Sequence, residues 1–114
     1  MINAGHVSLL RFPLTDGNVG KFRPVLILKQ LPGNYNDWLV CMVTTKTQQC
    51  IFNFDETIDE NDSDFELSGL KKSSIIRISR LAVVDGSILI GRIGSVSDIR
   101  LSKIYDRITT WIKS

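Results

Sequence analysis

Pro24 is followed by Val25-Leu26-Ile27-Leu28, four apolar residues in an unbroken row, and this run limits the fold more than any other feature of the chain. A strand with one wet face alternates apolar and polar positions. An uninterrupted apolar run therefore predicts a strand covered on both faces, near the centre of a sheet. Proline at its head suits the first residue of a strand, where the missing N–H costs no ladder bond.

The neighbouring segments supply partners for that strand. His6 to Phe12 alternates loosely and ends at Pro13, which reads as a first strand, and Thr15-Asp16-Gly17-Asn18 with Gly20 reads as a loop. Trp38 to Thr45 and Cys50 to Phe54 are predicted as two further strands paired antiparallel. Ser73 to Val84 and Ser87 to Ile93 flank Asp85-Gly86, a hairpin signal. From Ser97 the period changes: Leu101, Ile104, Tyr105, Ile108, Trp111 and Ile112 mark one face of a helix, with Ser97 or Asp98 as its N-cap. The sum is a mostly-β fold in one domain over residues 1–114, a curled antiparallel sheet forming a small barrel and closed by a C-terminal helix. Hydrophobic residues at 43% and charged residues at 23% are ordinary for a chain that collapses around one core. No apolar run reaches the ~20 residues that span a bilayer, so the expected location is the cytoplasm and no membrane partner is expected. Cys41 and Cys50 lack metal-ligand spacing and read as reduced thiols.

A formal net charge of +2 conceals a strong segregation. Seven of the 12 acidic residues lie between Asp55 and Glu66, which leaves 14 basic residues against five acidic ones elsewhere. A basic face suited to a polyanion is therefore available. The acidic stretch from Asp55 to Asp64 repels itself and is expected to be a mobile surface loop. Its Asp59, Asn61 and Ser63 imitate part of a calcium loop, but Asp64 and Leu70 stand where the glycine and the glutamate belong.

With His6 as the single histidine, no plan requiring two imidazoles is open, and the chain has no HExxH, GxSxG or glycine-rich phosphate loop. What remains is a set of arginines and hydroxyls at strand ends and loops: Arg23, Thr44 and Thr45, Arg77 and Ser79. Guanidinium and hydroxyl groups in combination suit a phosphodiester.

Gly5-His6-Val7, then Phe12-Pro13-Leu14-Thr15-Asp16-Gly17, then Lys21-Phe22-Arg23-Pro24-Val25-Leu26-Ile27-Leu28 resembles the opening of the PemK/MazF toxins. Val43-Thr44-Thr45 resembles that family's Ile-Thr-Ser segment, Ser74-Ile75-Ile76-Arg77 its arginine-bearing strand, and Arg92-Ile93-Gly94 its approach to the terminal helix. The resemblance implies an SH3-like barrel of the CcdB/PemK type and the toxin of a type II toxin-antitoxin module. It further implies a homodimer that cleaves single-stranded RNA without metal or other cofactor and is neutralised by a cognate antitoxin. Arg23 and Thr44 fall on the catalytic arginine and threonine. Thr45 and Arg77 join them as candidates for catalysis or RNA binding, and Lys21, Lys46 and Arg80 as candidates for RNA binding. Ser79 occupies a position that is acidic in some members, which leaves the acid-base pair open between Asp16, in the loop before Arg23, and His6, at a position commonly acidic in the family. Ser79 also keeps alive a second reading, an inactive or gyrase-directed CcdB-like binding protein on the same fold. A plain RNA-binding barrel is the third, and it lacks a repeated aromatic stacking platform.

Overall fold

The computed structural model describes residues 1–11 and 22–114. Six strands form one sheet: β1 (His6–Arg11), β2 (Phe22–Gln30), β3 (Asp37–Thr44), β4 (Glu56–Ile58), β5 (Ser74–Asp85) and β6 (Leu89–Ser95). Two helices complete the fold, a single turn α1 (Phe65–Ser68) and the long α2 (Asp98–Lys113). The strand order is β4-β5-β3-β2-β1-β6, with every neighbouring pair antiparallel.

The apolar run in β2 divides its side chains between two cores. Leu26 and Leu28 join Val7, Cys41, Ile76 and Ile104 on one face, while Val25 and Ile27 join Leu10, Trp38 and Val40 on the other. All four residues of the run are at most 1% exposed, as a strand covered on both sides requires. Each such side chain contributes ~1.5–3 kcal/mol through burial.

On the first face lies α2, whose Leu101, Ile104, Tyr105 and Ile108 pack onto the core. Ser97 is its N-cap, its hydroxyl accepting from the Arg100 N–H at 3.2 Å, and the Tyr105 hydroxyl donates to the Leu28 carbonyl. The apolar stripe outruns the sheet: Trp111 and Ile112 remain exposed, and the Trp111 ring stands 5.7 Å from the Phe54 ring.

Three expectations are corrected here. Residues 50–54 form turns instead of a strand paired with β3, because the Asp55 carboxylate accepts from the Ile51 N–H at 2.9 Å and the Asp55 N–H bonds the Ile51 carbonyl, folding the segment back on itself. Asp85-Gly86 does not make a hairpin. The Asp85 side chain accepts from the Ser87 N–H and winds a short 3-10 turn, after which β6 pairs with β1 instead of β5. That connection draws the end of β5 towards the start of β6, although three strands lie between them in the sheet order. The sheet therefore curls, but it does not close, and the barrel is partial.

The acidic stretch is the third correction. Asp55, Glu56 and Asp64 are buried at 4–5% exposure, and β4 grows out of this segment to pair with Ser74–Ile76 of β5. Counter-charges from α2 remove the self-repulsion. Arg100 forms a two-pronged pair with Asp64 at 2.8 and 2.9 Å, reaches Asp62 at 2.9 Å and donates to the Thr57 carbonyl at 2.8 Å. Lys103 and Arg107 stand 3.5 and 3.7 Å from Glu56. Such forked, charge-assisted bonds are the strong ones. The Arg100 guanidinium holds the Asp64 carboxyl down at about 2.

Candidate functional site

Beyond the last ladder pair between β2 and β3, Val25 with Met42, the same register carried two residues further sets Arg23 opposite Thr44. Side chains alternate along a strand, so Arg23 shares a face with Val25 and Thr44 shares it with Met42. Both residues, partly buried, line one groove of about 640 Å³ across the ends of these strands. Thr45 and Lys46 line it too, and Leu9, Phe22, Val43 and Ile93 make its apolar surface.

Lys71 and Lys72 form the opposite wall. They were not among the residues singled out from sequence. The signal was present in Ser68-Gly69-Leu70-Lys71-Lys72: a glycine that ends a helix, followed by paired lysines. Gly69 has φ +72° and closes α1, and its backbone lies flat on that of β6, where a β-carbon on Gly69 would overlap the Ile93 carbonyl and one on Gly94 the Leu67 carbonyl. This contact fixes where the two lysines emerge. Among the described residues, then, the groove carries Arg23, Lys46, Lys71 and Lys72 and no carboxylate. Its field favours an anion.

The Thr44 hydroxyl oxygen accepts from the Lys46 N–H at 3.1 Å. Its own proton is left to be donated, so the group can bond a phosphate oxygen.

Arg77 stands opposite Met42, and Ile75 opposite Thr44, so Arg77 is on the face that Thr44 occupies. It does not line the groove. Its Nη1 donates to Gln49 Oε1 at 3.1 Å, and its buried Nε, without a hydrogen-bond partner, is 4.0 Å from Asp55 Oδ2. Asp55 was hidden from sequence reasoning inside the supposed loop. Its wholly buried side chain accepts from the Ser79 N–H at 2.9 Å and the Ser79 hydroxyl at 3.1 Å. A carboxylate thus sits beside Ser79 although the chain has none two residues after Arg77.

The other candidates lie elsewhere. Arg80 is exposed and outside the groove lining. His6 lines a separate cavity of about 220 Å³ with Ser8, Gly91 and Arg92. Burial, the Arg92 charge and the N-terminal ammonium lower its pKa below the ordinary 6.5. Asp16 and Lys21 fall outside the described residues. Among the described residues no group of three or more His, Cys, Asp and Glu could hold a metal ion, and no helix is long and apolar enough to cross a membrane.

Comparison with known proteins adds two findings. A family model described as "PemK-like, MazF-like toxin of type II toxin-antitoxin system" matches residues 3–112. A solved structure described as an endoribonuclease in complex with its cognate antitoxin, from mycobacterial species, covers 99% of this chain and 96% of its own at 16% identity, with a TM-score of 0.66. At that identity the likeness is one of fold. A search of curated proteins found no match.

Proposed function

The chain belongs to the PemK-like, MazF-like toxin family of type II toxin-antitoxin systems, and from that premise we propose that it is an endoribonuclease cutting single-stranded RNA in the groove between Arg23 and Thr44. The observation that carries this reading is the meeting of those two side chains in one cation-lined groove. The fold neighbour's description as an endoribonuclease held by an antitoxin supports the same class of activity and partner.

The reaction proposed is transesterification by the substrate itself. The ribose 2′-oxygen bonds to the adjacent phosphorus, the bond from phosphorus to the 5′-oxygen breaks, and a 2′,3′-cyclic phosphate and a 5′-hydroxyl result. One proton leaves the 2′-hydroxyl and one reaches the departing oxygen. Asp16, seven residues before Arg23 in the sequence, is the carboxylate we assign to that proton traffic, since His6 lines another cavity. Arg23 grips two non-bridging oxygens and opposes the charge that grows on them. A guanidinium serves there as a fixed charge and not as an acid. Thr44 donates to a phosphate oxygen or orients the 2′-hydroxyl. No step needs a metal, and DNA is inert for want of the nucleophile. The protein is proposed to work in the cytoplasm as a homodimer and to be silenced by an acidic cognate antitoxin drawn to the same cations.

The test is cleavage of single-stranded RNA in EDTA with analysis of the new ends. Cyclic-phosphate ends that fall ~10²–10³-fold in rate in Arg23→Ala are expected. Full activity in that variant, or cutting of a substrate carrying a 2′-deoxyribose at the scissile position, defeats the proposal.

A further inference from the structure

We propose that Phe22 is a stacking shelf for an unpaired base next to the scissile phosphate, and so a substrate-binding residue of the groove. The inference rests on the ribonuclease reading above. Phe22 is the single aromatic among the described residues lining the groove, and 42% of it is exposed. In the ladder it lies directly opposite Arg11, whose guanidinium sits over the ring at 5.0 Å from its centroid. A cation held over one face anchors the ring and leaves the rest of its surface to the groove.

Strand alternation explains why the shelf and the reacting pair are separate. Leu9 pairs with Pro24 and Arg11 with Phe22, so Leu9, Arg11, Phe22 and Pro24 share one face of the β1–β2 ladder. Arg23 and Thr44 belong to the other. The groove crosses the strand ends and collects side chains from both faces, an apolar strip from one and the guanidinium and hydroxyl from the other. A nucleotide is divided in the same way, with an anionic phosphate at one end and a flat apolar base at the other. A phosphate held by Arg23 puts a flanking base within reach of the neighbouring residue's ring.

Stacking a base on an aromatic side chain commonly contributes enough to change binding ~5- to 100-fold. Because the contact exists in both ground and transition states, its loss should fall on KM and leave kcat nearly unchanged. The experiment compares Phe22→Ala, Phe22→Leu and Phe22→Trp on a short RNA cut by the wild type, and on copies with an abasic site at each nucleotide flanking the cut. The expected result is a KM raised roughly 5- to 100-fold in Phe22→Ala, substantially raised in Phe22→Leu and restored in Phe22→Trp. One abasic substitution should cost the wild type the same factor and cost Phe22→Ala nothing more. The leucine variant keeps apolar volume without a π face, so it decides the matter even if the alanine variant folds poorly. Wild-type KM in Phe22→Leu, or equal abasic losses in wild type and Phe22→Ala, overturns the shelf while leaving the ribonuclease reading intact. No cleavage of any RNA by the wild type overturns the ribonuclease reading itself.

Discussion

Replacing Arg100 by alanine should destabilise the fold by about 3 kcal/mol without touching the groove. Arg100 is 12% exposed and Asp64 5% exposed at the side chain, so Asp64 is buried and Arg100 largely so. Removing one member of a buried pair costs ~3–5 kcal/mol because the other charge is stranded. The lower end applies, since Asp64 keeps its bond from the Ser97 N–H at 3.0 Å and Asp62, 37% exposed at the side chain, can return to water. With ~2.1 cal/mol/K of unfolding entropy per residue, a chain of 114 residues loses about 12 °C of melting temperature. Urea unfolding followed through the buried Trp38 measures the free energy directly. An Asp64→Ala, Arg100→Ala double-mutant cycle isolates the pair, and a coupling above about 1 kcal/mol is expected. Acid supplies an independent reading. Asp64 has a folded pKa of about 2 against an ordinary 3.8; a depressed carboxylate contributes stability that is complete above its unfolded pKa and disappears as the pH falls through the folded one. The wild type should therefore lose roughly 2 kcal/mol from this group between pH 5 and pH 2, and Arg100→Ala should lack most of that loss. A single-mutant cost under about 1 kcal/mol, or an additive cycle, refutes the account of how the acidic segment is held.

Three other outcomes are expected. Thr44→Val keeps the shape of the side chain and removes its hydroxyl, so kcat for RNA cleavage should fall about 10²-fold while the melting temperature moves by only a few degrees; unchanged kcat would remove Thr44 from the chemistry. Lys71→Ala and Lys72→Ala should each reduce the slope of log K against log salt for single-stranded RNA by about 0.7, measured by anisotropy over a potassium chloride series, and unaltered slopes would mean that this wall does not meet phosphates. Gly94→Ala forces a β-carbon into the Leu67 and Ser68 backbone; it should cost ~1–3 kcal/mol or displace α1 with the lysine wall, and a wild-type melt with wild-type RNA binding would contradict the close packing.

Most of the sheet could be read in advance because its signals are local. The run after Pro24, the alternation in β1 and the period change at Ser97 depend on near neighbours, and each marks an element that is present. The bend at 50–54 turns on local bonds between Ile51 and Asp55, but the other failures required partners distant in sequence. Asp55 to Asp64 looks self-repelling until Arg100, Lys103 and Arg107 arrive from α2, and Asp85-Gly86 looks like a hairpin until β6 pairs with β1. The site divides along the same line. Arg23 and Thr44 could be named in advance through their resemblance to the PemK/MazF motifs, since an arginine at a strand start and a threonine at a strand end are not distinctive by themselves, whereas Lys71, Lys72 and Asp55 depend on a glycine contact and on a bend at 50–55.

Segregation of charge along the chain acquires a physical meaning from this arrangement. Arg77, Arg100, Lys103 and Arg107 pair with Asp55, Glu56, Asp62 and Asp64 within the fold. Four of the 14 cations are thereby committed to structure, and four others line the groove. The Arg100–Asp64 clasp is buried and little affected by salt, while Lys46, Lys71 and Lys72 are exposed and lie within reach of a Debye layer of ~8 Å at physiological ionic strength. Hence the same kind of pair contributes stability in one place and leaves binding adjustable in another. A polyanion competing for the groove displaces counterions and not internal carboxylates, so its affinity should follow ionic strength while the fold beneath it does not.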